Sequence, residues 1–64
     1  MIVILPDSSS YDICGDRCTV GSILERFGIN PLEVIVSVGG NVVPEEWVVG
    51  GSDTIRIIRI AHGG

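Results

Sequence analysis

The hydrophobic positions near the N-terminus predict a β-hairpin. Residues 1–5 form an unbroken apolar run that ends at Pro6, which predicts a buried strand in a central position of a sheet. Turn-forming residues follow, and the alternation of apolar and polar residues at 11–14 predicts a second strand. Because only a short turn separates the two, the second strand is expected to return antiparallel beside the first.

Residues 19–27 carry the one strong helix signal of the chain. Thr19 is placed to cap the first turn, and Gly28 stands where a left-handed residue ends a helix. The apolar stripe at helical spacing consists of Val20, Ile23, Leu24 and Phe27. Because the helix is short and amphipathic, it is expected to lie across a sheet rather than to stand alone.

The rest of the chain predicts further strands. Residues 34–38 are rich in β-branched side chains, and residues 54–60 give the longest strand signal. Shorter features are predicted between them, namely a tight turn at 39–41, a strand at 42–43, a single turn at 44–47 and a strand fragment at 48–49. One helix on one face of a mixed sheet of four to five strands is an α+β architecture in two layers. Residues 1–60 are expected to form this domain, followed by a flexible tail at 61–64.

The composition excludes several classes of protein. Hydrophobic residues make up 45% of the chain, which is too many for a disordered segment. The net charge is −4 and the chain has no Lys, so no cluster of cations is available to bind nucleic acid. No apolar run approaches the roughly 20 residues that span a bilayer, and no basic residues precede the first apolar run. Neither a membrane segment nor a secretory signal is expected, and a cytoplasmic location follows.

The last four residues are candidates for chemistry because they are small and follow the longest predicted strand. Ala61, His62, Gly63 and Gly64 include no apolar residue larger than alanine. Glycine has no Cβ and accepts most backbone angles, so such a tail could enter a narrow channel of a partner enzyme. The partner would then reach the carboxylate of Gly64. The alternative interpretation is an ordinary frayed terminus.

Residues 34–64 carry a pattern that resembles a known family. They read V-I-V-S-V-G-G-N-V-V-P-E-E-W, then a G-S-D turn before the last strand, and then the Gly-Gly end. Residues 19–24 also resemble the start of the family's helix. The pattern is similar to the ThiS/MoaD family of sulfur carrier proteins, and the short length and the V-V-P-x-x-W segment are closer to ThiS. The resemblance implies the β-grasp, ubiquitin-like fold over the whole chain.

The resemblance also implies that the protein is a carrier and not an enzyme. An E1-like adenylating enzyme of the ThiF or MoeB type would bind Ala61, His62 and Gly63 and use ATP to activate Gly64. A sulfur donor would then convert the carboxylate to a thiocarboxylate. The acceptor would be thiazole synthase, in thiamine biosynthesis, or the large subunit of molybdopterin synthase. The carrier itself is expected to have no catalytic residue and to bind no cofactor or metal.

Two arginines in the last predicted strand are candidates for binding a partner. Arg56 and Arg59 have an odd spacing, so they are expected on opposite faces of the strand. At least one should be exposed beside the tail, where it could pair with acidic groups of an enzyme. The alternative is ordinary solvation. Trp47, the only Trp, is expected to anchor the turn at 44–47 against the core.

Cys14 and Cys18 form a C-x₃-C pair that the family pattern does not contain. A metal site normally needs four ligands, and a thioredoxin-like redox pair has the C-x₂-C spacing. The favoured interpretation is two small, half-buried residues beside a loop. A local disulfide is the alternative.

Two other functions remain open from the sequence. A protein modifier would begin with the same adenylate but would be ligated through Gly64 to lysines of other proteins. A binding module would use the sheet alone, and its C-terminus would be dispensable.

Overall fold

A computed structural model of the chain describes residues 1–13, 15 and 17–60. In these ranges the backbone forms seven strands and one α-helix. They are β1 (Ile2–Ile4), β2 (Ser10–Asp12), β3 (Cys18–Thr19), α1 (Val20–Arg26), β4 (Val34–Val38), β5 (Asn41–Val43), β6 (Val48–Val49) and β7 (Thr54–Arg59). A 3₁₀ turn at Pro31–Glu33 precedes β4. No helix in the described ranges is long and apolar enough to cross a bilayer.

Five of the strands form one mixed sheet in the order β2-β1-β7-β4-β5. The first and last of these strands along the chain, β1 and β7, pair in parallel, and the other neighbours are antiparallel. The two remaining strands, β3 and β6, pair with each other in a separate two-stranded sheet. The predicted α+β, β-grasp architecture, with one helix across a mixed sheet, is therefore confirmed.

The core lies between α1 and one face of the five-stranded sheet. The helix contributes Val20, Ile23 and Leu24, each no more than 2% exposed. They are buried with residues of the first, fourth, sixth and last strands, namely Val3, Val34, Val36, Val49, Ile55 and Ile57. Phe27 is half-buried and its ring lies 5.4 Å from that of Tyr11 on β2. The predicted helical stripe therefore faces the core as expected.

Both ends of α1 have the caps that the sequence predicts. The Thr19 hydroxyl accepts a hydrogen bond from the Ser22 amide at 3.2 Å. At the other end Gly28 has φ 69°, and the Ile29 amide donates to the Leu24 carbonyl at 2.9 Å. This is the Schellman arrangement, which reverses the chain and directs it toward β4.

Gly28→Ala should lower the free energy of unfolding by about 1–2 kcal/mol, because alanine is strained in the left-handed region. Gly51→Ala is the matched control, since Gly51 has no positive φ and space for a Cβ. Chemical denaturation of both variants measures the difference. Equal stability of the two variants would contradict the role of Gly28 in ending the helix.

The N-terminal hairpin differs from its prediction in two respects. The apolar run predicts that residues 1–5 are buried, but only Val3 is buried, and Ile2 is 42% exposed. The reason is that α1 covers only one face of the sheet, although β1 is an inner strand, since β2 and β7 pair with it on its two sides. The second strand lies at Ser10–Asp12 rather than at 11–14. Its register opposite β1, with Val3 facing Tyr11, fixes these limits.

The predicted role of Trp47 was wrong for its side chain. Trp47 is 50% exposed and does not belong to the core. Its backbone does the anchoring instead. The Trp47 carbonyl accepts from the Val20 amide at 2.9 Å, and its amide donates to the Pro44 carbonyl at 3.1 Å. The turn at 44–47 therefore holds the N-terminus of α1 through backbone groups.

The cysteine segment contains a strand that the sequence did not predict. Cys18 lies in β3 opposite Val49, and it is half-buried as predicted. It forms no disulfide with any residue that the structure describes. Cys14 lies outside the described residues, and the alternative of a local disulfide stays a prediction.

Candidate functional site

The predicted site residues divide into two groups. Residues 61–64, including the Gly-Gly end and the carboxylate of Gly64, lie outside the described residues. Arg56 and Arg59 lie on β7, the strand that leads to this tail. Beyond β7, the Ile60 amide still donates to the Glu33 carbonyl at 2.9 Å. The chain is thus tied to its neighbouring segment up to the last residue before the tail.

The five-stranded sheet has a second face, which α1 does not cover. Successive residues of a strand point to opposite faces, so the neighbours of the buried Ile55 and Ile57 point away from the helix. On β7 these are Thr54, Arg56 and Ile58, all exposed. We call this side of the sheet the open face.

The open face is rich in aliphatic side chains. Ile58 on β7 lies directly opposite Ile35 on β4, and Ile4 on β1 lies beside Arg56. The large apolar residues of this face that are exposed are Ile2 (42%), Ile35 (39%), Val42 (72%) and Ile58 (44%). Ile35 and Ile58 are direct neighbours, and contiguous exposed apolar residues are typical of surfaces that bind another protein.

Arg56 occupies the middle of the open face. Its cross-strand neighbours are Ile4 on one side and Ser37 on the other, and Ser37 in turn pairs with Val42. Arg59 lies opposite the buried Val34 and therefore belongs to the other face, at the end of the strand, where it is exposed. Arg56 thus lies among the residues of the open face, whereas Arg59 meets them only at the end of the strand, where both arginines line a hollow with Ile58.

A tight turn between β1 and β2 borders this surface. Pro6 and Ser8 line a shallow hollow together with Ile58 and both strand arginines. Within the turn, the Asp7 carboxylate accepts hydrogen bonds from the hydroxyl and the amide of Ser9. These two bonds lower the pKa of Asp7, because they stabilise its charged form. Asp7 is therefore engaged within its own turn.

The charged side chains of the described residues are mostly separate from one another. Among them, no three His, Cys, Asp or Glu side chains are grouped closely enough to hold a metal ion. The only ion pair in the described ranges joins the N-terminal ammonium of Met1 to Asp12, at 3.7 Å. Neither Arg56 nor Arg59 is paired with a described carboxylate. Both charges are available to a partner.

Sequence reasoning missed the aliphatic residues of the open face. The period-2 alternation on β7 places Ile58 on the same side as Arg56, and this signal was present in the sequence. It could not show which side the helix would cover. Ile35 and Val42 join the surface only through pairing between β7, β4 and β5.

No protein-family model matches the sequence, and no curated protein sequence matches it either. Solved structures do match. The crystal structure of the thiamine biosynthesis protein ThiS from Geobacter metallireducens has a TM-score of 0.71 and 17% identity, with 100% of both chains covered. An NMR structure of a thiamine biosynthesis protein from the same organism has a TM-score of 0.64 and 20% identity, covering 100% of this chain and 88% of that one. The resemblance found in the sequence is confirmed at the level of the fold: the chain has the fold of the thiamine biosynthesis protein ThiS.

Proposed function

We propose that this protein is a sulfur carrier in thiamine biosynthesis, and that its working group is the C-terminal carboxylate of Gly64. The observation that carries the proposal is the combination of a ThiS fold with a Gly-Gly end that follows the last strand after three residues. The structural neighbours named above are thiamine biosynthesis proteins. The fold alone would also suit other β-grasp proteins, so the terminus supplies the specific part of the argument.

The distance between the sheet and the carboxylate supports this use of the tail. Ile60 is tied to Glu33 through its backbone amide, and four residues follow it. Four extended residues span at most about 13–14 Å. A partner that docks on the body can therefore reach Gly64 in an adjacent pocket. Because Ile60 is fixed to the body of the protein, the length of the tail limits how far the Gly64 carboxylate can lie from the docked surface.

The open face supplies the docking surface in this proposal. Its aliphatic residues lie on the strand that leads to the tail and on its neighbours. An enzyme that covers this face would bury apolar area next to the point from which the tail departs, which favours association. Binding of the body and entry of the tail would thus occur together.

The chemistry needs no catalytic group in the carrier. A carboxylate oxygen of Gly64 attacks the α-phosphorus of ATP in the E1-like enzyme, and pyrophosphate leaves. Hydrosulfide, as the sulfur donor, then attacks the acyl carbon and AMP leaves, so that a C–S bond replaces the C–O bond to the phosphate without a change of oxidation state. The product is a thiocarboxylate, whose sulfur passes to the thiazole synthase. The exposed apolar residues of the open face fit a protein that is bound by partners, and those partners would perform the catalysis.

The experiment that tests this function is ATP–pyrophosphate exchange with the adenylating enzyme from the same organism. The full chain should stimulate exchange in a concentration-dependent manner. No stimulation by the folded, full-length chain would overturn the proposal.

Digestion with trypsin distinguishes a sulfur carrier from a protein modifier. The chain has no Lys, and cleavage after Arg59 releases the peptide of residues 60–64. In a carrier this peptide is found free, with one oxygen replaced by sulfur. In a modifier the same five residues remain attached to lysines of other proteins. Recovery of such branched peptides, without the thiocarboxylate, would show that the protein is a modifier and would contradict the carrier function.

Ile58→Glu should raise the KM for the carrier in pyrophosphate exchange by about tenfold or more, because it places a charge in the apolar docking surface. Val48→Glu is the matched control. Val48 is 49% exposed, close to the 44% of Ile58, but it lies in the two-stranded sheet. Circular dichroism checks that both variants fold. A similar KM for the two variants would show that docking does not use the open face.

A further inference from the structure

A recess lies on the open face, at the end of the sheet where the β4–β5 turn meets the start of β7. It is lined by Ser37, Gly39, Gly40, Thr54 and Arg56. The recess exists because of the register. Ser37 lies opposite Arg56, Thr54 lies two residues before Arg56 on the same face, and the space beside Gly39 and Gly40 is open because these glycines have no side chain.

The groups around this recess donate hydrogen bonds and include no acid. Arg56 presents a guanidinium group, and Ser37 and Thr54 each carry a hydroxyl. None of the lining residues is Asp or Glu, although the chain has eight such residues and a net charge of −4. A guanidinium fork matches the two oxygens of a carboxylate, and nearby hydroxyls can complete the pairing.

The surroundings decide what kind of anion fits. Arg56 is flanked by Ile4, and Ile58 and Ile35 lie one step further along the sheet. A single cation beside apolar residues suits one carboxylate carried on a protein surface. A polyanion would meet the net negative charge of the chain, and Arg56 is the single cation among the residues that line the recess.

We propose that the recess accepts the carboxylate of an Asp or Glu side chain of the adenylating enzyme, while the aliphatic residues around it are covered. The inference rests on the proposed function and adds to it the feature that the partner must carry. The apolar residues supply contact area, and the Arg56 pair fixes the register of the carrier on the enzyme. A carrier that is bound in this one position and orientation directs its tail to the ATP site of the enzyme.

The test compares Arg56→Gln with wild type and with Arg26→Gln in pyrophosphate exchange. Arg26 is exposed in the last turn of α1, on the other side of the sheet, so its variant removes the same charge elsewhere. Arg56→Gln should raise the KM for the carrier roughly tenfold or more, the effect of losing a charged hydrogen bond. The kcat at saturation should be unchanged, because Gly64 is intact. Arg26→Gln should behave as wild type.

Two further readouts separate recognition from a structural effect. Raising the salt concentration should increase KM for wild type more steeply than for Arg56→Gln, because salt screens the attraction that the variant lacks. Arg56→Lys should give an intermediate KM, since lysine keeps the charge but not the planar fork. A structural loss would not change the salt dependence in this way.

The outcomes also distinguish this inference from the function on which it rests. If wild type and Arg56→Gln are activated with equal KM and equal salt dependence, the carboxylate pairing is wrong and the carrier function stands. If wild type is not activated at all, the carrier function is wrong and the inference fails with it.

Discussion

Removal of Gly64 is expected to abolish ATP–pyrophosphate exchange by the adenylating enzyme. The body of the protein would still dock, but the carboxylate would end one residue short. An extended residue spans about 3.3–3.6 Å, and a misplacement of about 1 Å in a reacting group can cost roughly 10²-fold in rate. The shortened chain should therefore show a loss in kcat too large to recover by raising its concentration.

Two further variants of the tail test the same prediction. One residue added after Gly64 shifts the carboxylate in the opposite direction and should also abolish exchange. Gly63→Val keeps the length but adds a branched side chain, which should obstruct a narrow channel. None of the three should change the free energy of unfolding, because the core lies within residues 1–60. Exchange by the shortened chain at the wild-type rate would leave the binding module as the better description.

Leu24→Ala should have the largest effect on stability. Leu24 is 2% exposed, and it packs in the core with residues of β1, β4 and β7. Removing such a side chain costs about 2–5 kcal/mol through lost burial and the cavity left behind. Small domains have a total stability of about 5–15 kcal/mol, so this variant should be partly unfolded at physiological temperature.

Leu32→Ala is the matched control for this variant. The same chemical change is made at a residue that is 79% exposed, in the 3₁₀ turn. Surface substitutions of this kind usually alter stability by less than about 0.5 kcal/mol. Urea denaturation of both variants gives the comparison. If Leu24→Ala and Leu32→Ala unfolded at the same urea concentration, α1 would not hold the core together.

The helix and the longer strands could be predicted from sequence because their signals are local. Thr19 and Gly28 mark the ends of α1, and the predicted strand at 34–38 coincides with β4. The β-hairpin turn at Gly39 and Gly40 has φ values of 58° and 86°, which the two glycines allow. In each case the residues that decide the structure lie within a few positions of one another.

The remaining features depend on contacts between distant parts of the chain. The two-residue strand β3 exists only because Cys18 and Thr19 pair with Val49 and Val48, some thirty residues away. The exposure of Ile2 and Ile58 follows from which face of the sheet α1 covers. The sequence identified the arginines on β7 as candidates, but it could not distinguish Arg56, among aliphatic residues, from Arg59 on the other face.

The carrier function is tested most directly by the mass of the C-terminal tryptic peptide. The purified chain is incubated with the adenylating enzyme, ATP and a sulfur donor, and is then cleaved after Arg59. The account predicts that the peptide of residues 60–64 gains mass equal to the replacement of one oxygen by sulfur, and that omission of ATP prevents the gain. An unmodified peptide, obtained from folded protein under conditions in which the enzyme activates an authentic ThiS, would contradict it.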